Sequence, residues 1–555
     1  MKLDLDLNFQ NAIRVNQRGF LKGSAKRFIL TDNKTKERSF RVIITDDIKE
    51  ITVYQGVMTE ANEDGHTYFI GDFSSVEREG DYYIEAGGYR SRQFVIYEKA
   101  YDICERIMLE YFKYQRCGHP LGWNGSCHLD DGIIKETGER VDLSGGYHQS
   151  CDLRKSPGGV SIGVLSMLRF AMKDKSEWGE ILLRDEARWA LTYYLKVIQD
   201  NGAMYNTLNA PLGWDARVFY KSPAPSSSQW NVTSILASGY MYFKDSDPDF
   251  AEKCLKKAIR SYNFMTSSER SDELYVHPEE PPVGMDQEFF FDLCKKGSSA
   301  DVASMISASA DMYRATKDTK YVDTVREALP FLLSHVTKGF IILRDDNKER
   351  TVNASCSYSW LMGGLLALCD AYELIPDFDG LKVKIRHALD EICAYMDKSV
   401  WRTVQIPYYD GDLDVIGNFT TKTRRQGMRD LKEYNGFYYQ GDLHYAPAYS
   451  PYIGIFLARC SALLGDKKYL SYAQSIADTL LGANILDSSH VHGIGFNHCS
   501  HKSYGQFFPS TPFIPGAVGV EYSSLDPHSS SSEFDMPCVG LSMYLLSELC
   551  DAYAK

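Results

Sequence analysis

Glu98-Lys-Ala-Tyr-Asp-Ile-Cys-Glu-Arg-Ile-Met-Leu-Glu-Tyr-Phe-Lys-Tyr114 is the stretch in which the apolar residues change period. Ile103, Ile107, Met108, Tyr111 and Phe112 recur at helical spacing, so they form one stripe of an amphipathic helix. Upstream, apolar residues sit instead in short β-branched and aromatic runs at 13–16, 27–30, 40–44, 51–54, 67–70, 82–84 and 93–97. Gly, Asp or Asn separate these seven candidate strands, and short strands at such regular spacing predict a small β-sandwich of immunoglobulin type. The change of period divides the chain into residues 1–98 and 99–555.

Eleven further amphipathic segments follow the first, at 158–173, 182–199, 226–243, 249–266, 299–315, 319–335, 355–373, 379–398, 446–464, 467–482 and 537–553. Most pair across short polar links such as Lys244-Asp-Ser-Asp-Pro248, whereas the intervals between pairs are long and rich in Gly, Pro, Ser and aromatics. Twelve helices in six hairpins predict an all-α (α/α)6 toroid. Its inner helices would fill the core, and its long loops would gather at one rim, where loop-borne chemistry is expected.

Composition narrows the function classes. A chain of 555 residues, 44% apolar and 24% charged, is globular and too long for one ordinary core. A net charge of −13 opposes nonspecific binding to nucleic-acid phosphates or anionic lipid. No apolar run approaches the roughly 18 residues of a membrane span, and the opening Met-Lys-Leu-Asp-Leu-Asp lacks the unbroken apolar stretch of a signal peptide. Thirteen cysteines, scattered from Cys104 to Cys550, fit free thiols or a metal site better than a disulfide framework. These features predict a cytoplasmic location, or a secreted one if a leader has been removed.

Gly145-Gly-Tyr-His-Gln-Ser-Cys-Asp152 precedes the second helical segment, and Glu533-Phe-Asp-Met-Pro537 precedes the last. Together with Tyr114-Gln-Arg-Cys-Gly118, Cys127-His128 and Gly505-Gln-Phe-Phe-Pro-Ser-Thr-Pro512, these stretches resemble glycoside hydrolase family 9, the inverting cellulase family. Ile13-Arg-Val-Asn-Gln-Arg-Gly-Phe20 and Ser91-Arg-Gln-Phe94 are similar to the first and last strands of the immunoglobulin-like module that precedes the catalytic barrel in one branch of that family. Inverting hydrolysis needs one protonated carboxyl on the leaving oxygen and one carboxylate activating water on the opposite face, roughly 6.5–9.5 Å apart. The resemblance assigns the acid to Glu533 and the base to Asp152. Taken singly, a Glu ahead of a helix is ordinarily a charge favoured by the helix dipole, and an Asp in such a loop is ordinarily a cap. The motif around each is what singles it out.

The loop also departs from the family pattern, Gly-Gly-Trp-(His or Tyr)-Asp-Ala-Gly-Asp, whose first Asp helps hold the attacking water. This chain has Tyr147 for the Trp, Gln149 for that Asp and Cys151 for the Gly. The Gln149 carbonyl can still accept a hydrogen bond from water but brings no charge. Slow hydrolysis, an altered substrate and lost activity are all open.

Cys117, Cys127, His128 and His148 form a second constellation. Two thiolates and two imidazoles suit tetrahedral zinc, and a closed set of four is structural, not catalytic; buried cysteines with hydrogen-bonded histidines are the plainer reading of each residue alone. The set resembles the zinc site of the immunoglobulin-bearing branch, and His148, four residues before Asp152, would anchor the base-bearing loop. By the same resemblance His498 is a candidate sugar contact. Trp214, Trp230 and Tyr438 are candidate stacking platforms, with ordinary aromatic packing as the alternative. Asp410-Gly-Asp-Leu-Asp414 is the best local cluster for calcium, although it lacks complete EF-hand spacing.

The expected activity is inverting hydrolysis of β-1,4-linked glucan oligosaccharides, since a cytoplasmic enzyme does not meet polymeric cellulose. Two alternatives stay open: the same mechanism on another β-linked sugar such as a β-glucosaminide, and a carbohydrate-binding protein on a disabled hydrolase scaffold.

Overall fold

The computed structural model describes residues 12–46, 49–63, 65–120, 126–150, 155–174, 176–205, 218–219, 226–268, 270, 296–337, 341–342, 364–402, 432–434, 437–439, 450–498, 500–501, 514–519, 531–532 and 534–554. The N-terminal part holds ten strands: β1 Ile13–Val15, β2 Gly19–Leu21, β3 Arg27–Leu30, β4 Ser39–Asp46, β5 Lys49–Val57, β6 Thr59–Glu63, β7 His66–Asp72, β8 Gly80–Ala86, β9 Tyr89–Arg90 and β10 Phe94–Tyr97. They form two sheets, ordered β1-β3-β7-β6 and β2-β10-β8-β4-β5, with β9 paired to β8. Phe20, Phe28, Phe40, Phe69, Phe73, Tyr82 and Phe94 pack in the core they share.

All seven predicted strands are present. The additions are β2, β6 and β9, and β6 has a physical reason for being missed: its residues are exposed or half-buried, so an edge strand of this kind has no apolar alternation to read.

Twelve helices follow among the described residues: α1 Asp102–Tyr114, α2 Ser161–Lys173, α3 Glu177–Val197, α4 Ser226–Phe243, α5 Pro248–Thr266, α6 Ser299–Thr316, α7 Lys320–His335, α8 Gly364–Leu374, α9 Leu381–Met396, α10 Ser450–Leu464, α11 Leu470–Leu480 and α12 Met536–Tyr553. Their starts are written in the sequence. The Ser176 and Ser298 side chains accept from the N–H groups of Gly179 and Asp301, and Asp247 caps α5 ahead of Pro248.

Two classes of helix are distinct. Every residue of α12 from Met536 to Leu549 is buried, whereas α5 buries a single stripe that includes Ala251, Cys254, Ala258 and Tyr262. A helix buried all round belongs inside a core and a striped one outside it. Accordingly α2 packs on α4, α4 on α6, α6 on α8, α8 on α10, α10 on α12 and α12 back on α2. Helices α1, α3, α5, α7, α9 and α11 lie against members of that closed series. Gly163 of α2 packs on Met536 and Gly540 of α12, and Lys173 pairs with Glu548 at 2.6 Å, so these two helices run side by side in one direction.

The far ends of the inner helices are tied by charges, of which Arg169, Asp311, Asp370 and Arg459 are buried. Arg169 of α2 meets Asp311 of α6 at 3.1 Å, Arg314 of α6 meets Asp370 of α8 at 3.2 Å, and Arg459 of α10 meets Asp370 at 2.9 Å and Glu373 at 2.6 Å. Three guanidinium groups thus face three carboxylates. No helix among the described residues is long and apolar enough to cross a membrane.

Candidate active site and metal centre

Two of the metal-ligating candidates, Cys117 and His148, are brought together because two short segments pair. Just after α1, Arg116 forms an antiparallel bridge with Tyr147. The Cys117 N–H donates to Gly146 O at 2.9 Å, and the His148 N–H donates to Gln115 O at 2.9 Å. Gly146 has a positive φ of 73°, and a Cβ there would lie 2.7 Å from the Tyr193 ring, so only glycine permits this turn. Arg116 points away into a buried pairing with Glu186 at 2.9 Å. Tyr147 donates its hydroxyl to the same Glu186 at 2.7 Å, so the Tyr in place of the family Trp is a hydrogen-bonded core residue.

Cys117, Cys127, His128 and His148 are all buried, with one ligand atom from each lying within 4.8 Å of the others. The Cys117 and Cys127 sulfurs are 3.9 Å apart, Cys117 Sγ is 3.5 Å from His128 Nδ1, and Cys127 Sγ is 3.3 Å from His148 Nε2. A tetrahedral ion with bonds of about 2.3 Å to sulfur and about 2.05 Å to nitrogen gives edges of about 3.8 and 3.6 Å. The residues present therefore fit a divalent ion. Contact with Cys117, and then with His128 and His148, holds the Cys127 thiol well below its usual range against the effect of burial. Burial holds His148 below its own. A thiolate and a neutral imidazole are the forms a metal takes.

The next residues of the same segment pair with the start of α12. Met536 N–H donates to Gln149 O at 3.0 Å, and Ser150 forms an antiparallel bridge with Asp535. Phe534 bridges Gly519, and Val518 bridges Val491. Four segments, around 150, 535, 518 and 491, thus lie side by side. Asp152 and Glu533 both fall outside the described residues, each two positions along the chain from the Ser150–Asp535 bridge. Gln149 is half-buried, and its side chain lies over Gly159: a Cβ on Gly159 would stand 2.3 Å from Gln149 Oε1.

His498 is close to this ladder. Its Nδ1–H donates to Ser489 O at 3.1 Å, and its ring stacks on His492 with centroids 5.1 Å apart. Burial lowers its pKa, against hydrogen bonds to the backbones of Ser489 and Gly495.

Trp230 requires a correction. It is fully buried in α4, donates Nε1–H to Asp301 Oδ1 at 2.7 Å and meets Tyr262 edge-on. Its faces are packed in the core, and no sugar can stack on it. Tyr438 lies in a strand paired with Lys432–Tyr434, and its side chain is outside the described residues. Trp214 and the Asp410–Asp414 cluster are outside them too.

Sequence reasoning missed the seam that supports the His498 loop. Gln17 donates Nε2–H to Asp487 O at 2.8 Å and accepts from Phe496 N–H at 2.7 Å, while Arg92 pairs with Asp487 at 3.2 Å. The polar residues Asn16 and Gln17, buried directly after β1, were the available signal.

Comparison with known proteins agrees with this architecture. The glycosyl hydrolase family 9 model matches residues 101–505, and the cellulase N-terminal ig-like domain model matches residues 8–91. A cellodextrinase of Butyrivibrio fibrisolvens is 25% identical over 350 residues, 57% of this chain and 60% of that protein; the chain thus spans about three fifths of that relative's length. A thermostable endoglucanase mutant from Alicyclobacillus acidocaldarius has the same fold, with a TM-score of 0.69 at 16% identity, covering 98% of this chain and 100% of that one. A Zn-binding triple mutant of a family 9 endoglucanase gives 0.67 at 17% identity, covering 96% and 100%. With the family model matching most of its length, the chain belongs to glycosyl hydrolase family 9, carrying a cellulase-type N-terminal Ig-like domain.

Proposed function

We propose that this protein is an inverting β-glycosidase acting on β-1,4-linked glucan oligosaccharides, with Asp152 as general base and Glu533 as general acid. The observation that carries the reading is the pairing of Gln149–Ser150 with Asp535–Met536. It brings together two loops nearly 400 residues apart in sequence, each bearing one of the two carboxyls that inversion requires. The naming of a cellodextrinase among its relatives favours short glucans. The closed series of six inner helices with six outer ones supports an (α/α)6 toroid, whose loop rim holds the site.

In this reading Asp152 removes a proton from a water on one face of the sugar while Glu533 protonates the departing oxygen on the other. Gln149 holds that water through its carbonyl. Zinc is the ion that suits the Cys117, Cys127, His128 and His148 set, where it would be structural, with no ligand position left open. It would fix His148 and hence the strand that continues into the base loop. The test is hydrolysis of a panel of β-linked oligosaccharides by the purified protein and by Glu533→Gln. Turnover on cellodextrins that the substitution removes supports the reading. Absence of any such turnover overturns it.

A further inference from the structure

A second close pair of cysteines lies far from the metal centre. Cys369 of α8 and Cys460 of α10 are both fully buried, and their sulfurs stand 3.0 Å apart. That is closer than the roughly 3.5–4.0 Å at which even carbon atoms rest against each other, and only about 1 Å longer than a covalent S–S bond. The contrast with Cys117 and Cys127 is informative. Those sulfurs are 3.9 Å apart with two imidazoles beside them, as a tetrahedral ion requires. Cys369 and Cys460 belong to no group of metal-ligating side chains among the described residues. Around them the helices are already locked in register: Leu365 N–H donates to Tyr452 OH at 3.0 Å, and the adjacent residues Asp370 and Arg459 pair at 2.9 Å.

We propose that Cys369 and Cys460 are a disulfide-forming pair that staples two neighbouring inner helices of the barrel. The reaction is a thiol–disulfide exchange. One thiol loses its proton and attacks a sulfur of a small-molecule disulfide such as oxidised glutathione, which departs as one thiol. The second cysteine then displaces the other half, so two protein thiols lose two protons and two electrons and the acceptor disulfide becomes two thiols. Because neither sulfur is exposed in the folded chain, the bond forms while the chain is folding. The closed loop spans 91 positions, and a cross-link over so long a loop restricts the unfolded chain strongly.

The experiment is to refold the full-length chain with zinc in a glutathione redox buffer. Remaining thiols are alkylated in denaturant, and the digest is mapped by mass spectrometry without reduction. The expected result is a linked peptide pair containing Cys369 and Cys460, about 2 Da lighter than the sum of the two thiol peptides, with Cys117 and Cys127 alkylated. The oxidised protein should unfold several degrees higher than the reduced one, a difference that Cys369→Ala or Cys460→Ala abolishes. Complete alkylation of both cysteines after oxidative refolding overturns the proposal, as does their linkage to other cysteines; peptide mapping of the unaltered chain decides the matter even where a variant fails to fold.

Discussion

Asn16 donates Nδ2–H to Asp478 Oδ1 at 2.9 Å, joining the first strand of the sandwich to helix α11. Gln474 donates to the same oxygen at 2.8 Å and to Tyr101 OH at 2.6 Å. Burial pushes the Asp478 carboxyl up to about 7, against those hydrogen bonds and the nearby Arg27 and Lys26 charges.

This seam predicts a pH dependence of opposite sign to that of an ion-paired carboxylate. Between the unfolded value of about 3.9 and the folded value, the unfolded chain has released a proton that the folded chain keeps. Stability from this group is therefore greatest below that window, falls as pH rises through it by up to about 4 kcal/mol, and levels off above it. Asp478→Asn keeps the accepting oxygen without the charge. Urea unfolding at pH 5 and pH 8 should show a smaller pH difference in the variant than in the parent, with the variant more stable at pH 8. An equal slope in both proteins sinks the assignment.

The buried charges at the far end of the ring should behave in the ordinary way. Burial alone would raise Asp370, but Arg459, Arg169 and Arg314 outweigh it and hold this carboxyl well below the usual range. Its contribution is present at neutral pH and lost on acidification. Asp370→Asn leaves a guanidinium uncompensated and should cost about 3–5 kcal/mol. Adding Arg459→Met, which removes a positive charge as well, should recover part of that loss in denaturant titrations. Additive losses in the double variant would contradict a coupled network.

How much of this was legible in the sequence depended on whether a residue's partners were local. The stripe that includes Met108, Tyr111 and Phe112 is a property of one helix, and periodicity found it, although it misassigned Ile103, which is exposed, and passed over Cys104 and Leu109, which are buried. Trp230 was misread because its surroundings are not local: which face of α4 meets the ring is decided by helices far away in sequence, and an inner helix has no outer face on which an indole could meet a ligand. Gln17 and Asp487 are separated by 470 positions, and no pattern at that range announces their contact. The Cys and His quartet was recovered from motif resemblance, and the Arg116–Tyr147 bridge shows how the backbone brings Cys117 and His148 together.

Metal removal should separate a structural ion from a catalytic one. Protein purified without added metal is expected to carry about one zinc per chain by elemental analysis. Stripping it, or making Cys117→Ser, should lower the unfolding midpoint by several degrees. Activity should then fall through disorder of the 146–150 segment, with no change in the pH profile of the activity that remains. A metal content near zero ends the zinc assignment. A shifted pH profile would mean that the ion acts on the chemistry directly.

The role of Gln149 can be tested both through a neighbour and directly. A Cβ on Gly159 would stand 2.3 Å from Gln149 Oε1, and Gly159 does not sit at positive φ, so Gly159→Ala is tolerated by the backbone only if the amide moves aside. If that amide holds the attacking water, the displacement should lower kcat by about tenfold or more, since an error of 1 Å in a reacting geometry can cost about 100-fold. KM should change little, because the water and not the sugar is misplaced. Gln149→Asp, in contrast, restores a negative charge beside the water and should raise kcat. Unchanged kcat in both variants would show that Gln149 supports the loop alone, with the water held elsewhere.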